Sequence, residues 1–211
     1  MSDYSPKKFA INNCGAILLA AGASKRMGEA KQLLSFKGTT LLGHAIDALE
    51  ATSAYPILVV TGADASKLSE ILAPRNVIEC FNSEWPDGMA SSIRQGIIFL
   101  RQRYPACDGA LISVCDQPYL TSTKLNELRR EQRISGKPMA ACSYEGTLGT
   151  PALFHCSLFA DLLALQGDKG AGGILNQRHG EVATVEFPMG KIDIDTKEDY
   201  SALQRDSEDS E

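Results

Sequence analysis

The sequence predicts a three-layer α/β/α domain with a mostly parallel central sheet. Short apolar runs bounded by turn residues recur along the chain. They carry few polar residues, as strands covered on both faces do. Helical patterns fall between them, and such β–α alternation implies crossover connections and a parallel sheet.

Strands are expected at residues 15–20, 57–61, 77–81, 110–115, 139–143 and 182–187. The first helix is expected at 40–51, with Leu41, Leu42, Ala45, Ile46 and Leu49 on its apolar face and Thr39 or Thr40 as N-cap. A second runs over 64–72 from a capping Asp64. A third covers 89–103, with Ile93, Ile97 and Leu100 on one side. Helices at 121–133 and 196–203 each open on a threonine cap, Thr121 and Thr196. No internal repeat or low-complexity linker divides the chain. One domain is expected over residues 14–203, with a flexible N-terminus at 1–13 and an acidic, disordered tail at 204–211.

Hydrophobic residues make up 44% and charged residues 22% of the 211-residue chain, a globular composition. The net charge, 21 − 26 = −5, argues against a broad nucleic-acid-binding face. The last eight residues hold four acids and one arginine, and without them the balance is 20 − 22 = −2. No apolar run approaches the ~20 residues that span a bilayer, and no signal-peptide core follows Lys7 and Lys8. The six cysteines show no C-x-x-C spacing and sit mostly in apolar runs, as reduced core thiols do. A cytoplasmic protein with no membrane or nucleic-acid partner is expected.

The segment from Leu18 to Lys31 (LLAAGASKRMGEAK) directly follows the first strand. Its small residues and two glycines let backbone approach a ligand and aim N–H groups at it. Lys25, Arg26 and Lys31 are cationic donors for phosphate oxygens. A loop at the carboxyl end of a parallel strand is where such sheets bind ligands. It is not a Walker A loop, because Gly22 and Gly28 are one residue too far apart and Glu29 follows. It is not the dinucleotide fingerprint either, lacking G-x-G-x-x-G and an acid after the second strand, which ends Val60-Thr61-Gly62.

Asp116, in Cys115-Asp116-Gln117-Pro118, stands at the carboxyl edge of a strand, where a carboxylate can hold Mg²⁺ or simply cap a turn. In Ile192-Asp193-Ile194-Asp195-Thr196, alternation puts Asp193 and Asp195 on one side, where they repel without a cation or donor between them. The segment 82–93 joins a strand to a helix. Gly88 and the helix's first N–H groups can meet a base or phosphate, while Ser91 and Ser92 can equally cap the first turn. His44, His155 and His179 are scattered without metal spacing and read as structural or surface residues.

The run Leu19-Ala20-Ala21-Gly22-Ala23-Ser24-x-Arg26-Met27-Gly28-x-x-Lys31 resembles the L-A-A-G-x-S-x-R-M-G-x-x-K signature of nucleotidyltransferases with a Rossmann-like domain. Within that MobA-like superfamily it is most similar to the molybdenum cofactor cytidylyltransferases. The resemblance covers Ala16 to about Tyr200 and implies a fold of the nucleotide-diphospho-sugar transferase type. It implies that the loop wraps a nucleoside triphosphate, with Arg26 and Lys31 neutralising phosphates. Leu19, Ala20, Ala21, Gly22 and Ser24 would line the nucleotide site, together with Thr61, Gly62, Gly88 and Ser92. Ala21 leans towards CTP, since guanylyltransferase relatives tend to carry L-A-G-G.

By the same resemblance, the family's G-D-x-P makes Asp116 a catalytic metal carboxylate, although Cys115 replaces the glycine. D-I-D-T-P-x-D makes Asp195 the second metal ligand, with Asp193 the weaker candidate and Lys197 in place of proline. The family's acceptor side carries G-x-P-x-x-F and G-D-x-G-[AV]. Gln117, Pro118, Gly149, Pro151, Asp168, Lys169 and Gly170 would therefore face the acceptor. The implied reaction joins CMP from CTP to the phosphate of molybdopterin with Mg²⁺ as cofactor and releases pyrophosphate. A molybdoenzyme of the xanthine dehydrogenase type is the implied downstream partner. Alternatives are the same chemistry with GTP or with a sugar or alditol phosphate, or a non-catalytic carrier of the molybdenum cofactor.

Overall fold

The computed structural model describes residues 8–208. All the expected strands and helices are present: β1 (Cys14–Leu19), α1 (Leu41–Glu50), β4 (Ile57–Thr61), α2 (Ala65–Leu72), β5 (Ile78–Phe81), α3 (Met89–Arg103), β6 (Gly109–Val114), α4 (Ser122–Ser135), β7 (Met139–Tyr144), β9 (Val182–Glu186) and α7 (Lys197–Glu208). The structure adds a short hairpin of β2 (Ser35–Phe36) and β3 (Thr39–Thr40), the strand β8 (Thr147–His155), and the helices α5 (Phe159–Leu163) and α6 (Gly172–Gln177). Thr40 and Thr121 cap their helices, accepting from the N–H groups of Gly43 and Lys124. Helix α7 continues to Glu208, into the stretch expected to be a tail, and residues 209–211 lie outside the described residues. Residues 1–7 of the expected flexible N-terminus also lie outside them. Asn12 and Asn13 donate their N–H groups to the Asp108 carboxylate at 2.9–3.0 Å.

The seven-stranded sheet has the order β5-β4-β1-β6-β8-β7-β9. Only β8 runs antiparallel to its neighbours, β6 and β7. Residues 147–151 are not among the expected strands, since Gly149 and Pro151 are poor strand formers. The sheet accommodates them by a register shift. Cys142 pairs with Gly149 and Ala141 with Ala152, so Thr150 and Pro151 fall outside the ladder and the missing proline N–H goes unneeded.

From β1 the chain builds outward through β4 to β5, then returns to place β6 on the other side of β1. Connections therefore diverge above the carboxyl ends of β1 and β6, and a crevice opens there. Alternation sends Ala16 and Leu18 of β1 to one core, with Leu42, Ile46, Leu68 and Leu125, and Ile17 and Leu19 to the other, with Ile93, Ile97 and Leu100. A third cluster lies beside the crevice: Met27, Leu34, Phe36, Leu41, Ile194 and Leu203. The cysteines are free, and burial pushes the thiols of Cys14, Cys115 and Cys142 up to about 12. No helix among the described residues is long and apolar enough to cross a membrane.

Phe154 of β8 is fully buried. Phe154→Ala should destabilise the chain by about 3–5 kcal/mol, the usual cost of emptying a buried aromatic site. Equilibrium urea denaturation measures this, and a loss under about 1 kcal/mol would mean β8 is not an internal strand.

Candidate active site

The loop leaving β1 is anchored at several points. The Ala20 N–H donates to the Val60 carbonyl at 2.9 Å, and the Ala63 N–H to the Ala21 carbonyl at 3.2 Å. A Cβ on Gly62 would stand 2.7 Å from both the Ala21 oxygen and Trp85 Cβ, so only glycine lets these three segments close on one another. Gln32, 1% exposed, donates through Nε2 to the carbonyls of Ala20 (3.0 Å) and Gly22 (2.9 Å), clasping the loop from below. Ser24 takes a positive φ of 49°. Its carbonyl accepts from Met27 and Gly28, and its Oγ accepts from the Lys31 N–H at 3.1 Å. Met27 is buried in the third cluster, which leaves Lys25 and Arg26 exposed and turns Lys31 inward.

Two acidic segments close the other side. The Ile194 N–H donates to the Asp116 carbonyl at 3.1 Å, and Ile194 is buried with Met27. Asp195 is thereby held beside Asp116. The Asp199 carboxylate accepts from the N–H groups of Asp195 (3.1 Å) and Thr196 (2.8 Å). Thr196 Oγ1 accepts from the Asp199 N–H in return, completing a reciprocal cap. Cys115 does not adopt a positive φ, and its side chain is buried in the core, so replacing glycine there leaves the turn unstrained.

The Lys31 ammonium lies between the two acids, donating to Asp116 Oδ2 at 2.6 Å and Asp195 Oδ1 at 2.8 Å. Arg26 donates to the other Asp195 oxygen at 2.6 Å. Partial burial alone would lower the Lys31 pKa, but Asp116 and then Asp195 outweigh it and hold the value above that of an ordinary lysine. Hydrogen bonding from Lys31, followed by the Lys31 and Arg26 charges, lowers that of Asp195. Asp193 keeps an exposed surface but has less water around it than a free aspartate. That desolvation, then the Asp116 and Asp195 charges, push its carboxyl up to about 6.

The start of α3 forms the third wall. Gly88 has a φ of 93°, and a Cβ there would be 2.4 Å from Asp168 Oδ1 and 2.6 Å from the Gly167 carbonyl. The Ala90 N–H donates to that carbonyl. Buried Asn82 donates through Nδ2 to Ser91 Oγ (2.8 Å) and Ser92 Oγ (3.1 Å), fixing both hydroxyls. Together the walls enclose a cleft of about 520 Å³, within the usual range for small-molecule sites.

Of the residues expected at a nucleotide site, Leu19, Ala20, Ala21, Gly22, Ser24, Arg26, Lys31, Gly88 and Ser92 line this cleft, as do Asp116, Asp168 and Asp195. Others are placed elsewhere. Thr61 is fully buried and donates its hydroxyl to Glu79 at 2.7 Å, and Gly62 lies beneath the loop. Gln117 is buried, with Nε2 spent on the carbonyls of Thr150 (3.1 Å) and Gly190 (2.7 Å), and Pro118 is buried beside it. Gly149 makes room for the Tyr144 ring, Pro151 is buried, and Gly170 packs near Met89. Lys169 is exposed beyond the cleft. Gln32 and Asn82 have positioning roles that the sequence reading does not assign, while Asp199, the last residue of the D-I-D-T-P-x-D pattern, completes a T-x-x-D cap.

The donor set suits a hard divalent cation. Mg²⁺ takes one or two carboxylates and completes its shell with water and substrate phosphates. Asp116 and Asp195 are such a pair, and among the described residues no cluster of three or more His, Cys, Asp or Glu forms a self-sufficient cage. His44 and His155 lie outside the cleft, and burial lowers the pKa of both.

Comparison with known proteins places the site in context. The profile of the MobA-like NTP transferase domain matches residues 16–182. The chain is 28% identical over 200 residues to the purine catabolism protein PucB of Bacillus subtilis, covering 90% of this chain and 95% of that one. It is 28% identical to a nicotine blue oxidoreductase of Paenarthrobacter nicotinovorans (89% and 94% covered) and 25% identical to a probable molybdenum cofactor guanylyltransferase of Bacillus mycoides (93% and 98%). Among solved structures, a mycobacterial homologue of Rv0371c from strain JC1 superposes with a TM-score of 0.78 at 26% identity, covering 94% of this chain and 98% of that one. Rv0371c of Mycobacterium tuberculosis in complex with manganese gives 0.74 at 25% identity (92% and 99%).

Two outcomes follow from the geometry. Gln32→Ala should raise the KM for the nucleoside triphosphate about 10-fold and spare kcat, since it frees a loop held by one buried and one part-buried hydrogen bond worth ~1–2 kcal/mol together. Steady-state kinetics check this, and a fall confined to kcat contradicts it. The raised Asp193 carboxyl means the native chain keeps that proton longer than the unfolded chain. Its contribution to stability therefore falls as pH rises from roughly 4 to 6. Asp193→Asn should match wild type in melting temperature near pH 4 and exceed it at pH 7. An equal difference at both pH values would remove the electrostatic account.

Proposed function

The chain belongs to the MobA-like NTP transferase family, and from that premise we propose that it transfers CMP from CTP to the phosphate of a molybdopterin-type acceptor. The observation that carries this reading is the pairing of Lys31 and Arg26 with Asp116 and Asp195 across one cleft at the carboxyl ends of β1 and β6. A cleft with cations on one wall and carboxylates on the other suits a metal-bound triphosphate. The acceptor class is taken from the relatives named as molybdenum cofactor guanylyltransferases, and the choice of CTP from Ala21 in the loop. Those same relatives support GTP as the second reading. An oxidoreductase role, suggested by the Paenarthrobacter relative, lacks the dinucleotide fingerprint in the β1 loop.

In the proposed reaction an acceptor phosphate oxygen attacks the α-phosphorus. An O–P bond forms there, the bond to the β-phosphate bridge breaks, and pyrophosphate leaves. A phosphate is already anionic at neutral pH, so no general base is required, which agrees with a cleft that His44 and His155 do not reach. Asp116 and Asp195 would hold Mg²⁺, which supplies Lewis-acid charge at the phosphate oxygens. Lys31 and Arg26 take up charge on the triphosphate and on the departing pyrophosphate. The loop's N–H groups and the Ser92 hydroxyl, fixed by Asn82, orient the nucleotide. Gly88 would flank the nucleotide with Ser92, and Asp168 would face the acceptor.

Pyrophosphate release with CTP, GTP and ATP, each with Mg²⁺ and molybdopterin, tests the reading. Release should be fastest with CTP. Equal rates with all three, or release only with a sugar phosphate, would overturn it. Asp116→Ala should lower kcat by about 10²–10³, as loss of one charge-stabilising group at a developing oxyanion does. Near-wild-type release by that variant would remove Asp116 from the mechanism.

A further inference from the structure

Lys31 occupies the position through which the two carboxylates would share a cation. Its ammonium is within hydrogen-bond distance of one oxygen from each, and its side chain is only 15% exposed. A divalent ion shared by the same two oxygens would meet that ammonium at contact distance, and two cations cannot both be accommodated there. The backbone of Lys31 is fixed, with its N–H bound to Ser24 Oγ and its neighbour Gln32 clasping the loop. The side chain, a point charge on a flexible four-carbon stem, is the part free to move.

We propose that Lys31 is an internal counter-ion for Asp116 and Asp195, one that must leave their carboxylates before they can take a divalent cation. This rests on Asp116 and Asp195 being the metal carboxylates, as proposed above. The triphosphate gives the ammonium somewhere to go, because the stem starts in the loop that lines the nucleotide side of the cleft. The exchange keeps charge balanced. Asp116, Asp193 and Asp195 face Lys31 and Arg26, a sum of −3 + 2 = −1. If Lys31 left with no divalent ion entering, three acids would face one exposed arginine. A chain with neither nucleotide nor metal therefore stays paired internally and binds divalent ions weakly.

Mn²⁺ titration of the full chain without nucleotide, followed by electron paramagnetic resonance of the free ion, tests the exchange. Lys31→Met and Lys31→Gln should each bind Mn²⁺ at least 10-fold more tightly than wild type, although both lose activity. Adding Asp116→Asn to either should abolish the gain. If both single variants fold, by circular dichroism, and bind Mn²⁺ no more tightly than wild type, while Asp116→Asn weakens Mn²⁺ binding, the carboxylates hold the metal and the exchange is wrong. If Asp116→Asn changes Mn²⁺ binding in no background, the metal assignment itself fails. Should neither lysine variant fold, the ¹⁵N-labelled Lys31 ammonium signal of wild type is followed as Mg²⁺ and pyrophosphate are added. Displacement of the signal is expected, and an unmoved signal overturns the proposal.

Discussion

One ammonium between two carboxylates ties together three distant parts of the chain. Lys31 comes from the loop after β1, Asp116 from the end of β6 and Asp195 from the approach to α7, with sequence separations of 85 and 164 residues to its two partners. None of these groups could stay in a water-poor cleft alone, because an unpaired charge there is costly. The rest of the site follows from satisfying that condition. The third apolar cluster packs Met27 against Ile194, and the Ile194 N–H bonds to the Asp116 carbonyl. Asp199 then fixes the backbone of Asp195. These contacts fix the backbone of Asp116 and Asp195 beside the Lys31 stem, so the charged trio is not a chance meeting of surface side chains.

The sheet explains why the trio lies where a ligand can reach it. Placing β4 and β6 on opposite sides of β1 makes the flanking connections diverge, so the loop after β1 has open space above it. Side chains that could fill this space are small or absent. Gly62 admits Trp85 and the Ala21 carbonyl, and Gly88 admits the 167–168 turn. The cleft is thus walled by backbone as much as by side chains, which suits recognition of a nucleotide by N–H groups. The overall negative charge of the chain has little bearing on it, since Asp116 and Asp195 are paired with Lys31 and Arg26 inside the cleft.

Much of this was legible in the sequence. The alternating elements emerged because their apolar periods are unambiguous, and the glycine loop because its spacing fails two better-known phosphate loops and fits a third. Strand β8 was missed because Gly149 and Pro151 oppose strand propensity, and only pairing with β6 and β7, with a bulge to absorb Pro151, overrides it. Thr61 lies at the end of a strand beside the cleft, and Gln117 and Pro118 follow Asp116 in sequence, but all three are buried in the protein. A strand's two-residue alternation and a tight turn turn neighbours in opposite directions, and adjacency alone does not say which side faces the cleft. The roles of Gln32 and Asn82 were not legible because an amide's role depends on which carbonyls or hydroxyls the fold brings to it.

The sequence by itself determined the layers, the phosphate-type loop and the supply of acids at strand ends, all set by local pattern and spacing. The tertiary structure alone decided which acids meet Lys31, which amides clasp the loop and which strand runs backwards. Those outcomes depend on contacts between residues far apart in the chain. Such contacts form only when burial of the apolar clusters offsets the entropy of bringing their ends together, and no short-range motif encodes that balance.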